Sequence, residues 1–102
     1  MNYQLLKMIK YKKVYIESLG YGITDFIPSE ISGEKAVDIH HIFDRSDRIE
    51  NLMAVTRQEH LDYGEIKGKL KFLLETHYNF LVDNGVKFDK NWILDKIRKC
   101  EY

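Results

Sequence analysis

The chain has 102 residues, enough for one domain with one modest core and too few for a second. Hydrophobic residues make up 44% and charged residues 31%, which excludes a disordered tail, and the single cysteine, Cys100, excludes an intramolecular disulfide and any site built from cysteine pairs. Lys+Arg and Asp+Glu are 16 each, so net charge offers no case for nucleic acid. No apolar run nears the roughly 18 residues of a membrane helix, and Met1-Asn2-Tyr3-Gln4 lacks a signal peptide's apolar core, so a soluble cytoplasmic protein in a reducing compartment, with no membrane partner, is expected.

The balance hides a distribution. Residues 1–16 hold four lysines and no acid, residues 17–64 hold ten acids against four bases, and residues 87–102 hold five bases against three acids. An acidic centre between basic ends suits a cation site beside phosphate-contacting flanks, and it also suits ordinary solvated helix faces.

In chain order, Leu5, Leu6, Ile9, Val14, Tyr15 and Ile16 predict a helix over 3–19, stopped by Gly20. Gly20-Tyr21-Gly22, Pro28-Ser29 and Ser32-Gly33 mark a loop-rich stretch from 20 to 35. The β-branched run Ala36 to Ile42 reads as a strand, Phe43 to Glu50 as a polar turn, and Leu52 to Val55 as the second strand of a hairpin. Thr56-Arg57-Gln58-Glu59 fits a capping box, so a helix starts at Arg57 and ends or kinks at Gly64. Leu70, Leu73, Leu74, His77, Phe80 and Leu81 recur at three- and four-residue spacing, predicting an amphipathic helix over 66–83 that Asn84-Gly85 ends. A last helix over 91–99 puts Ile93, Ile97 and Cys100 on one face, with Arg98 and Lys99 in its final turn.

Three of the four histidines fall within this strand, hairpin and helix unit: His40, His41 and His60. Neighbouring strand residues point to opposite faces, so His40 shares a face with Asp38 while His41 projects from the other. His40, His60 and Asp38 could ligate a divalent metal, with Asp38 equally able to act by orienting a histidine through a hydrogen bond. His41 is then left free as a general base, since an imidazole titrates near neutral pH. His77, within an apolar helix stripe, reads as a hydrogen-bonded core residue outside the site.

Asp38-Ile39-His40-His41-Ile42, then Glu50-Asn51-Leu52, then His60 nine residues after Asn51, resembles the HNH endonuclease motif, over about Pro28 to Gly64. The three motif letters match His41, Asn51 and His60. The resemblance implies an α+β fold: a ββα-metal (His-Me finger) core over about 30–64 within a single domain, flanked by the N-terminal helix and two C-terminal helices. It implies that His40 is a metal ligand beside His60, that His41 is the base, and that Asn51 holds the hairpin loop and the base in place. Two departures stand out. Relatives carry two Cys-x-x-Cys pairs that bind a structural zinc, whereas the matching positions are Ser29, Ser32, Thr56 and Glu59, so no structural zinc is expected and the capping box and helix packing replace it. The Gly-rich insertion common in the hairpin of relatives is missing as well.

The function so implied is metal-dependent hydrolysis of DNA phosphodiester bonds, with Mg²⁺ or Mn²⁺ for turnover and Zn²⁺ or Ni²⁺ as further occupants. Expected DNA contacts are Lys10, Lys12 and Lys13 at the end of the first helix, Lys67, Lys69 and Lys71 where the long helix begins, and Arg45, Arg48 and Arg57, which could also pair with nearby acids. By analogy the protein is phage-encoded, with packaging or recombination proteins among its partners. The rival reading is a catalytically inactive HNH-like module that binds DNA or a protein partner, favoured by the missing cysteines and the absent net positive charge.

Overall fold

A computed structural model describes residues 9–64 and 66–100. Among them the chain is α+β: helix α1 (Lys10–Leu19), an antiparallel pair β1 (Asp38–His41) and β2 (Leu52–Val55), helix α2 (Arg57–Tyr63), helix α3 (Leu70–Asp83) and helix α4 (Lys90–Arg98). Short 3₁₀ turns precede β2 (Ile49–Asn51) and α3 (Lys67–Lys69). No helix among these residues is long and apolar enough to cross a membrane.

Local chemistry explains most boundaries. Gly20 takes φ 75°, which costs a glycine little, and its N–H caps the last turn of α1 on the Glu17 carbonyl. Thr56 and Glu59 form the expected capping box at α2. The Asp89 carboxylate accepts from the Trp92 N–H and caps α4.

Two predicted helices begin later than their hydrophobic spacing suggested. Ile9 is extended (φ −61°, ψ 140°), so α1 starts at Lys10, while the expected residues 3–8 lie outside the described residues. Lys10, Lys12 and Lys13 therefore open α1 instead of ending it, at the helix pole that disfavours cations. Ile66 is also extended and Lys67-Gly68-Lys69 forms a 3₁₀ turn, so α3 starts at Leu70. Glycine is a poor helix former, and the apolar stripe that stabilises α3 does not reach back over this turn.

β1 pairs with β2 in the register Asp38 to Val55 and His41 to Leu52. The Val37 N–H to Val55 carbonyl bond and the Ile42 N–H to Asn51 carbonyl bond prolong the pairing at both ends. All of β2 is buried, joining Tyr15 of α1, Leu73, Leu74 and Leu81 of α3 and Ile93 of α4 in one core. α1 packs on both strands, α3 on α4, and α2 on β1. The helices thus hold β2 from within and leave β1 to carry the site.

The core also contains a polar knot. The side chains of His77 and Glu30 are both fully buried, with His77 Nδ1 2.6 Å from Glu30 Oε1 and His77 Nε2 2.7 Å from the Ile49 carbonyl oxygen. Both ring nitrogens face acceptors, so both carry protons and the ring is an imidazolium. Burial alone would push its pKa down, but the Glu30 carboxylate and the Ile49 carbonyl outweigh burial and raise it. Glu30 Oε2 accepts from the Tyr15 hydroxyl at 2.6 Å and the Ala54 N–H at 3.3 Å. One carboxylate thereby joins α1, β2 and α3, and His77 extends the link to the turn at Ile49.

Candidate active site

β1 and α2 bring three histidines to one cleft of about 670 Å³, lined by Tyr11, Ile39, His40, His41, Phe43, Asp44, Arg45, Asp47 and His60. Residues from both faces of β1 line it, so it runs along the strand's unpaired edge. His41 lies on the strand face opposite His40, as alternation requires, yet it opens to the same cleft instead of standing apart from the other two.

His40 is buried on β1 and His60 is half-buried in α2, with ring centroids 4.9 Å apart and planes tilted by 59°. His60 Nδ1 lies 3.2 Å from Asp38 Oδ2. Arg57 Nε and Nη2 donate to the two oxygens of the same carboxylate at 2.6 and 2.9 Å. These hydrogen bonds, Arg57 first, hold the Asp38 carboxyl below the usual carboxylate range against the opposing effect of burial. Asp38 is within hydrogen-bonding distance of His60, a geometry suited to orienting that ring. Among the described residues no three His, Cys, Asp or Glu side chains converge on one point. The donor chemistry fits a divalent cation held by His40 and His60 that takes its remaining ligands from water and substrate.

His41 is not free. Its Nε2 lies 2.9 Å from Asp47 Oδ1, and the Tyr11 ring meets the imidazole edge-on at 4.9 Å. Asp47 comes from the hairpin loop, six residues after the histidine, and the motif reading passed over it. An acid in the turn that follows a base histidine was the available signal.

Asn51 is fully buried and organises that loop. Its Oδ1 accepts from the N–H groups of Phe43 (2.8 Å) and Asp44 (3.3 Å), while Nδ2 donates to the carbonyls of Asp44 and Ser46, both at 2.9 Å. One amide side chain satisfies four backbone groups across the turn, and Asp47 follows directly on the last of them. The loop is also tied to α4. Arg48 Nε donates to Glu50 Oε1 at 2.9 Å, Glu50 Oε2 accepts from the Asp89 N–H at 2.6 Å, and Phe43 meets Trp92 edge-on.

The four positions that match zinc ligands in the resembling proteins are linked by hydrogen bonds. Ser29 Oγ donates to Glu59 Oε1 at 2.5 Å and accepts from the N–H groups of Ile31 and Ser32, and Thr56 N–H donates to the same Glu59 oxygen at 2.8 Å. Burial opposes ionisation of Glu59, but the bonds from Ser29, Ser32 and Thr56 prevail and hold its carboxyl below the usual range. This ties the 28–35 loop to the first turn of α2. Glu59→Ala is expected to cost about 2 kcal/mol, typical of losing hydrogen bonds to a buried charged acceptor, as read by urea unfolding. EDTA should lower the wild-type urea midpoint by no more than release of a cation from His40 and His60 accounts for, so His60→Ala protein should show the same midpoint with and without EDTA; a large drop there would mean that a metal, and not this knot, anchors the loop.

The basic candidates scatter. Arg45 is exposed and lines the cleft. Arg57 is held by Asp38, and Arg48 by Glu50 with its guanidinium 5.0 Å over the Trp92 ring. Lys13 sits 3.9 Å from Glu17. Lys67 borders a smaller cavity that also touches Gly64 and Ile42, so the start of α3 flanks the imidazole pair, and Lys69 and Lys71 follow within one turn.

No protein-family model matches the chain, and neither a curated protein nor a solved structure matches it.

Proposed function

We propose that the protein is a metal-dependent endonuclease of the HNH type, hydrolysing DNA phosphodiester bonds on a ββα-metal core formed by β1, β2 and α2. The observation that supports this best is the grouping of His40, His41 and His60 around one cleft, with His41 beside Asp47 and His60 beside Asp38. His40 and His60 would hold the divalent cation, Mg²⁺ or Mn²⁺ for turnover and Zn²⁺ or Ni²⁺ as alternative occupants. When bound, the cation supplies positive charge against the phosphate and the departing 3′ oxygen.

The chain's own residues supply the rest. Asp47 keeps the His41 Nε2 proton, so the ring takes a proton from the attacking water at Nδ1, and the same carboxylate stabilises the imidazolium that forms. Asn51 fixes the loop that carries Asp47. Arg45, exposed on the cleft wall, would meet a phosphate oxygen there. Asp44 and Asp47 make the cleft wall acidic, so DNA and cation should bind with positive coupling, each raising the other's affinity.

Conversion of supercoiled plasmid to nicked or linear DNA in Mg²⁺ or Mn²⁺, lost on chelation, is the expected result. DNA binding with no cleavage in either metal would overturn it in favour of a binding module. Phosphate contacts outside the cleft should come from the 3₁₀ turn before α3 and the first turn of α3. Lys67, Lys69 and Lys71 together, changed to Ala, should flatten the dependence of log K on log salt by up to roughly three, each phosphate contact contributing about 0.9 for duplex DNA. An unchanged slope would identify them as solvated helix charges.

A further inference from the structure

Gly64 follows α2 in ordinary right-handed backbone (φ −63°, ψ −35°), a conformation open to any residue. Backbone freedom therefore does not explain a glycine here. Space does. A Cβ at Gly64 would lie 2.6 Å from the His60 carbonyl oxygen, 2.8 Å from His60 Cδ2 and 3.2 Å from His40 Cε1. Gly20, Gly33 and Gly85 instead take positive φ with open space where a Cβ would go, and Gly68 also has open space there.

Neither ring can yield without loss. His60 is anchored on its other side by Asp38, itself gripped by Arg57, and His40 is buried on β1 opposite Met53. A methyl group at position 64 must open the last turn of α2, turn His60 away from Asp38, or widen the 4.9 Å separation of the rings.

We infer that Gly64 is a positioning residue for the metal site, its missing side chain setting the approach of His40 to His60. This rests on the proposal that the two imidazoles bind a divalent cation. Altered support around a ligating histidine typically weakens metal binding 10–100-fold.

The experiment measures Mn²⁺ affinity calorimetrically, without DNA, for the full-length wild type, Gly64→Ala and Gly68→Ala. Gly64→Ala should bind at least about tenfold more weakly, while Gly68→Ala binds as wild type. Equal binding by Gly64→Ala and wild type overturns the inference and leaves the metal reading standing. Absence of Mn²⁺ binding by the wild type overturns both. Should Gly64→Ala not fold, His60→Ala added to it removes the ring that the new methyl meets. Recovery of the wild-type circular dichroism spectrum then supports the inference, and a double variant as unfolded as the single places the cost in the backbone and overturns it.

Discussion

Glu30→Ala is expected to lower the unfolding free energy by about 3–5 kcal/mol, the range for removing one partner of a buried ion pair. The change leaves the His77 imidazolium in the core without its counter-charge, and it strands the Tyr15 hydroxyl and the Ala54 N–H. A domain of this size has roughly 5–15 kcal/mol in total, so Glu30→Ala should be marginal at room temperature. Glu30→Gln keeps the volume and an acceptor and should lose less. The pH dependence separates charge from shape. Because His77 is raised in the folded state, the stability it contributes is fully present below its unfolded value of about 6.5 and is lost as pH rises through the higher folded value. Urea midpoints across pH 5.5 to 9 should therefore fall on the alkaline side for wild type and lose that component in Glu30→Gln. A parallel alkaline decline in both proteins would remove the Glu30–His77 pair as its cause.

His41→Ala should reduce single-turnover DNA cleavage by about 10²–10⁴, the usual contribution of a positioned general base, with Mn²⁺ affinity close to wild type. The separation follows from the supports: His60 is oriented by Asp38 and Arg57, whereas His41 is held by Asp47 and Tyr11. Loss of cleavage and of metal binding in equal measure would make His41 a ligand. Cleavage unaffected by the change would assign proton removal to another group.

What could be read ahead of the structure was what neighbours along the chain determine. Thr56 and Glu59 cap a helix because they lie three residues apart, and Gly20 ends α1 because one backbone position needs positive φ. Asn51 was legible as a turn organiser because its partners are five to eight residues away. The partners of Glu30 were not, since His77 is 47 positions distant and the helix repeat around it says nothing of which loop residue it meets. Likewise Arg57 and Asp38, 19 residues apart, meet only because α2 crosses β1. Gly64 reads as an ordinary helix terminator, since the space it keeps open is bounded not only by His60 one turn back but by His40 on β1, 24 residues away. The tie between Asp47 and His41 spans only six residues and lies within local reach, but the strand pattern that sets the direction of His41 does not set the path of the loop that brings Asp47 back to it.

Trp92, the chain's one tryptophan, stands edge-on to Phe43 at 6.4 Å, with the Arg48 guanidinium and the Lys96 ammonium each 5.0 Å from its ring. Indole emission responds to the electric field across the ring, to which both cations contribute together with the carboxylates they pair with, Glu50 and Asp89 on Arg48 and Asp95 on Lys96. Phe43 is shared between this stack and the cleft wall, and Arg48 belongs to the loop that carries Asp47. A polyanion drawing on either cation, or a base displacing Phe43, would change the colour and yield of the fluorescence. The molecule thus carries a built-in optical gauge of its own cleft, readable in real time without a dye or a label.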